Sequence, residues 1–358
     1  MRLFLAEMRK IWGNRTFLLL LTVLVFANLL LLWMGTRPAA NQPTASAYHA
    51  AAQELSGLTM EEKGELLHSR YSDAEGLLKI EQFFRESANQ NPAWLGYRER
   101  NEELFQKYEQ RYLEHDYSLY TGTLTGDYIL YSKLLGEYDV VANYSDFLKD
   151  VQEKAVRLSG LSIFQNEQSD FERESILQTA EVYENLQGTR IDYYPQKGLY
   201  TAISYAFTDL FLLAAAALLV LLLVRQERDN GLFSLIRTLP DGRLVTAVVK
   251  LEAFAISLLA ILLVFYGVNL AYCGVSFGLG PLSRSIQSVP ALMRCTLKVT
   301  VGHYLGLFLL AKWAGVLVMG LWVMFAMLAA RNVVTSWAGA LALPLAMYGL
   351  RWIIPATG

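Results

Sequence analysis

Five long apolar blocks, near residues 16–34, 200–224, 247–272, 303–329 and 333–354, constrain this chain more than any other feature in it. A helix rises about 1.5 Å per residue and a hydrocarbon core is about 30 Å thick, so each block is long enough to cross one as a helix. The chain has 358 residues, 54% of them hydrophobic. Its mean hydropathy is positive despite a long polar middle, so the apolar residues are concentrated in blocks. The expectation is an all-α, polytopic membrane protein with about five transmembrane helices and a helical extracytoplasmic domain inserted between the first and second.

Residues 1–15, MRLFLAEMRKIWGNR, carry Arg2, Arg9, Lys10 and Arg15 against the single acid Glu7. Leu3, Phe4, Met8, Ile11 and Trp12 recur near helical spacing, which predicts a basic interfacial helix with its end in the cytoplasm. The apolar run that follows is longer than a signal-peptide core and lacks a clean small-residue cleavage pattern, so it reads as an uncleaved anchor. Residues 37–198 hold 16 Lys/Arg against 27 Asp/Glu, a net charge of −11, while the rest of the chain holds 15 against 6, a net of +9. With basic flanks on the membrane side, the acidic block is expected outside. The layout is then 1–36 for the amphipathic helix and first span, 37–198 for the extracytoplasmic domain, and 199–358 for a bundle of four spans.

Inside the polar block the periodicity is helical. Thr59-x-x-Glu62, Ser72-x-x-Glu75 and Ser169-x-x-Glu172 match the capping box and predict three helix starts. Two aromatic-rich stripes, one through Trp94, Leu95, Tyr97, Leu104, Phe105, Tyr108, Tyr112 and Leu113 and one through Tyr144, Phe147, Leu148, Val151 and Leu158, read as the seams of a helical bundle. Their spacing selects no ligand.

Between the second and third spans lies a short loop, residues 225–250, with five basic residues against three acidic ones and turn signals at Asn230-Gly231 and Pro240-Asp241-Gly242. A basic loop of this length is expected in the cytoplasm. Leu232, Phe233, Leu235, Ile236 and Leu239 fall on one side of a short helix, the form of a segment that lies on headgroups or docks into a partner. The order Glu227, Gly231, Thr238, Pro240, Arg243, Lys250 resembles the loop between the second and third membrane helices of ABC-2 type transporter permeases. That resemblance implies a permease subunit, working as a homo- or heterodimer with a second permease subunit, that exports its substrate using a separate ATP-binding cassette subunit. It implies a docking role for Phe233, Leu235 and Ile236, with Arg237 and Arg243 on the partner's acidic rim. The family unit has six spans, so a chain with five is expected to be a fragment.

Two charges interrupt the spans: Asp209 in the second and Lys312 in the fourth, each roughly ten residues from its outer end and so at similar depth. Charges at that depth find partners, and opposite sign makes these two candidates for each other. Cys273 and Cys295 bound the loop between the third and fourth spans, where the compartment leaves open either a disulfide or two thiols. Enzymatic chemistry has no footing: there is no phosphate-binding G-x-x-x-x-G-K-[ST] loop, no H-E-x-x-H and no G-x-S-x-G, and the four histidines lack metal-ligand spacing. The chain itself is expected to bind no cofactor, metal or nucleic acid; ATP enters through the partner, and lipids are the other contact. A membrane-anchored extracytoplasmic ligand-binding sensor or an envelope assembly protein is the alternative, although a sensor would want a cytoplasmic output domain and the longest inner segment is the 225–250 loop.

Overall fold

The computed structural model describes residues 2–117, 120–160, 167–225 and 242–329. Among them the chain is helical, with one isolated antiparallel bridge, Ser285 to Thr300, as its only β pairing. In chain order the helices are α1 (Arg2–Trp12), α2 (Arg15–Gly35), α3 (Ala45–Glu54), α4 (Met60–Ala88), the single turn α5 (Tyr97–Arg100), α6 (Glu102–Leu113), α7 (Leu124–Ala142), α8 (Tyr144–Gly160) and α9 (Glu167–Glu184). Then come α10 (Lys197–Ser204), α11 (Ala206–Val220), α12 (Gly242–Phe277) and α13 (Val301–Ala329). Four stretches are long and apolar enough to cross a membrane: Arg15–Gly35, Lys197–Val224, Leu244–Phe277 and Val301–Leu328. The fifth expected span, 333–354, lies outside the described residues.

The described chain divides into two units. The apolar unit gathers Met1–Gly35, Ala202–Tyr272 and the chain from Leu305 onward; the polar unit gathers Thr36–Thr201 with Cys273–Tyr304.

In the apolar unit α1 is amphipathic, as its spacing predicts. Ile11 is buried on one face, with Phe4, Met8 and Trp12 packed beside it, while Arg2, Leu5 and Arg9 face outward. Asn14 then accepts a hydrogen bond from the Phe17 amide at 3.0 Å, satisfying an otherwise orphaned donor at the start of α2. The bundle core is made by Leu212, Leu219 and Leu223 from the second span, Phe254, Leu258, Ile261 and Phe265 from α12, and Val316 and Val323 from α13. Gly320 lets α13 come close, because a Cβ there would run into the Phe254 ring. Trp313 locks the same pair of helices by donating its indole N–H to the Ala255 carbonyl at 3.0 Å.

The polar unit is built on α4, which packs along α7 and α6, with α8 against α9. At Thr59 the expected capping box is present: its side chain accepts from the Glu62 amide, and Glu62 reaches back to the Thr59 amide. Those bonds to Thr59 hold the Glu62 carboxyl below its ordinary range. The Ser72 match starts no helix. It falls inside α4, where each backbone N–H already has a carbonyl one turn back, and spacing alone cannot create an orphan donor. Ser169 lies two residues after Glu167, the first described residue of α9. Thr44 and Thr123 supply the caps of α3 and α7 instead.

The first aromatic stripe forms a core in part. Phe105 and Tyr108 are buried with Leu77 and Ile80, and Phe83, Tyr97 and Tyr112 pack around them. Leu95 and Leu113, expected in the same seam, are 75% and 59% exposed; Leu95 follows a short 3-10 turn and Leu113 is the last residue of α6. From the second stripe Tyr144 and Leu148 are buried with Leu186.

The extended segment 189–196 crosses this unit and is held by side chains on every side. Lys63 donates to Asp192 at 2.5 Å and to the Tyr193 carbonyl at 2.9 Å. The Asp192 amide donates to Ser288 at 3.0 Å, and Arg284 donates to the Tyr194 carbonyl at 3.0 Å. The loop after α12, read as a connection between spans, is therefore part of this unit's structure. Gly278 and Gly280 sit at φ of 82° and 72° with Tyr194 against both, a backbone form and a closeness that only glycine tolerates.

Glycine has opposite meanings within this unit. A Cβ on Gly76 would collide with the Tyr108 ring, while one on Gly136 meets nothing within 4 Å. Gly136→Ala should therefore stabilise the protein by about 0.5–1 kcal/mol through helix propensity. Gly76→Ala should destabilise it by about 1–3 kcal/mol through overpacking. Thermal unfolding of the two variants, followed by near-ultraviolet circular dichroism, checks the sign of each.

Candidate functional site in the apolar unit

Apolar spans cannot offer water to a polar side chain, so the polar residues they carry must find one another. Asp209, at the start of α11, and Lys312, midway along α13, do so: Lys312 Nζ lies 2.5 Å from Asp209 Oδ2. Tyr266 on α12 donates its hydroxyl to the other carboxylate oxygen at 3.0 Å, so three helices meet at one carboxylate. The pair is not sealed. Its side chains are 41% and 31% exposed within the chain. They open onto a groove of about 580 Å³ lined by Leu213, Phe308, Gly315 and Val316.

One residue away, a second polar group is fully enclosed. Asn28 on α2 donates to Asn269 Oδ1 at 2.7 Å, Asn269 on α12 donates to Thr208 Oγ1 at 2.8 Å, and Thr208 on α11 donates to Asn28 Oδ1 at 3.0 Å. All three residues have no exposed surface. The bonds close into a ring, each side chain both giving and receiving, which is what makes burial of three polar groups tolerable. Sequence reasoning missed this ring. Its signal was present, one amide or hydroxyl in each of three apolar blocks, but a neutral side chain draws less notice than a charge.

Lys250, grouped above with the docking loop, is a buried residue. Its ammonium is 3.1 Å from Glu7 on α1 and donates to the Leu223 carbonyl at 2.9 Å. Leu223 belongs to the π-helical turn Leu221–Arg225 that ends the second span. The cation thus joins the last turn before the loop, α12 and the N-terminal helix at one point. Glu227, Gly231, Phe233, Leu235, Ile236, Arg237 and Pro240 lie outside the described residues, as does the side chain of Arg243.

Cys273 is buried, Cys295 is half-buried, and both are free thiols, so the disulfide left open above is not formed. Among the described residues no cluster of His, Cys, Asp and Glu could hold a metal ion. In the polar unit, burial pushes the Glu137 carboxyl up despite the bonds it accepts from Gln196. Burial also pulls the Arg284 guanidinium down to about 10, with Nε and Nη2 left without hydrogen-bond partners.

Comparison with family models, with curated proteins and with solved structures found no match for this chain.

Removing one member of the Asp209–Lys312 pair leaves the other charge in an apolar groove, so Asp209→Asn or Lys312→Leu alone should each cost about 2 kcal/mol of stability. The double replacement should cost less than the sum of the two. A double-mutant cycle on thermal stability in detergent measures the coupling.

Proposed function

We propose that the chain is the membrane-spanning subunit of an ABC-2 type exporter, driven by a separate ATP-binding cassette subunit that docks on the 225–250 loop. The observation that carries this reading is the Lys250 junction. A loop that takes force from an ATPase is best served by a firm stem, and here one buried ammonium on α12 ties the turn that precedes the loop to α1 through Leu223 and Glu7. The candidate spans and the amphipathic α1 fit the same reading, as does the polar contact that joins three helices at Asp209. In this reading the chain crosses the membrane five times, places 37–198 outside as a helical domain, and acts with a second permease subunit. ATP binds the partner subunit.

Two measurements test it. In proteoliposomes with the ATPase subunit, Phe233→Ala should abolish transport-stimulated ATP hydrolysis while the protein still inserts, because truncating a buried interface anchor costs about 2 kcal/mol or more. Full stimulation in that variant would remove the docking role. In a background with both cysteines replaced, Ser87→Cys should label with an impermeant thiol reagent in intact cells and Ser234→Cys should not. The reverse labelling would invert the topology.

A further inference from the structure

The polar unit holds a cavity of about 380 Å³ at the junction of α4, α7, α8 and the segment after α9. Its apolar lining comes from Val141, Leu148, Leu186 and Ile191, with Tyr138 and Tyr144 beside them. The volume is within the range that encloses a small organic molecule, and an apolar lining with a few polar groups is the usual make-up of such a site. Two observations give the sign of the occupant. The one charged residue in the lining is Glu61, exposed at the first turn of α4; no lysine or arginine contributes. The block that surrounds the cavity, 37–198, carries 27 acidic against 16 basic residues, a field that gathers cations and repels anions.

The tyrosines fit a cation as well. The Tyr138 hydroxyl proton is already committed, donating to the Met60 carbonyl at 2.9 Å, so toward an occupant this residue offers its oxygen as an acceptor and its ring, but no donor. That ring is held in place: Gly64 leaves room for it on α4, and Tyr193 packs edge-on at a centroid distance of 5.7 Å. Tyr144 is buried with its hydroxyl lacking any hydrogen-bond partner, an unmet polar group beside the space. Two tyrosines in the lining with one carboxylate at the rim suit an ammonium group, while the apolar lining takes the rest of the molecule.

We infer that this cavity is a binding site for a small monovalent organic cation, a protonated or quaternary amine with an apolar body. The inference concerns binding by the polar unit and stands apart from the transporter reading, since its test needs neither ATP nor a partner subunit.

The test uses the full chain in nanodiscs and isothermal titration with benzyltrimethylammonium, its neutral isostere neopentylbenzene, and phenylmethanesulfonate. The cation should bind saturably, and the neutral and anionic probes at least about tenfold more weakly, the range of a cation–π contact plus one carboxylate. Glu61→Gln, at an exposed position that leaves packing alone, should weaken the cation about fivefold or more. Ser145→Trp, which places a bulky ring at the exposed rim, should abolish its binding. Equal binding of the isostere would overturn the cationic class. Binding that is absent, or unchanged in both variants, would overturn the site.

Discussion

An ion or amide drawn into an apolar bundle has only other groups of the protein to bond with, and that constraint organises the apolar unit. Thr208 and Asp209 are consecutive on α11, so their side chains leave the helix about 100° apart and serve two different sets of neighbours. Thr208 turns inward, to Asn28 and Asn269, and closes a ring with no exposed atom. Asp209 turns toward α13 and the groove, where Lys312 and Tyr266 share it. The ring joins α2, α11 and α12; the carboxylate joins α11, α12 and α13. Together they bring four helices to one level with a neutral contact and a charged one. The neutral ring is satisfied and enclosed, so opening it would leave three buried groups unmet. The charged pair is half-open, its side chains partly exposed to the groove.

The polar unit solves a different problem. Its helices are not apolar enough to be held by burial alone, and large aromatic side chains supply the area. Phe83 touches Phe84, Trp94, Tyr97 and Phe105, the last edge-on at 4.8 Å. Glycines on α4 make this possible. Gly64 and Gly76 fall on the helix where Tyr138 and Tyr108 arrive, so each ring takes the space a side chain would fill. The propensity lost by placing glycine in a helix is offset by the closer approach of a large ring.

How much of this could be read beforehand follows from the range of the interactions. The four helices long and apolar enough to cross a membrane were legible because length and hydrophobicity are local, and so was the Thr59 cap, whose two partners are three residues apart. The Asp209–Lys312 contact was legible as a candidate because depth along a helix can be counted from its end, although rotation could not. The Asn28–Thr208–Asn269 ring joins residues up to 241 positions apart, and nothing local marks an asparagine as one of three. The spacing of Ser72 and Glu75 matched a cap but lacked the one condition a cap needs, a free end of helix. The tie between segment 189–196 and the loop after α12 was also beyond reach, since Asp192, Ser288 and Arg284 are polar residues in loops that look like connections.

Lys250 shows how a motif can hold residues of different kinds. A pattern of Glu, Gly, Thr, Pro, Arg and Lys reads along the chain as one surface, yet the last member is buried with Glu7. Its neighbours in space explain why a lysine fits there. The Leu223 carbonyl ends a span whose last turn is π-helical, and Glu7 brings a carboxylate from α1. A flexible stem with a terminal ammonium can meet both acceptors at once, which a leucine or methionine of similar length could not do. Burial of the pair gives a further property. Exposed ion pairs contribute little and are screened by salt, whereas one enclosed in the bundle is costly to break from one side only. The two acceptors of Lys250 fasten α1, α12 and the last turn before the loop at one point, so α1, whose Ile11 already sits in the bundle core, is held there by charge as well as by packing.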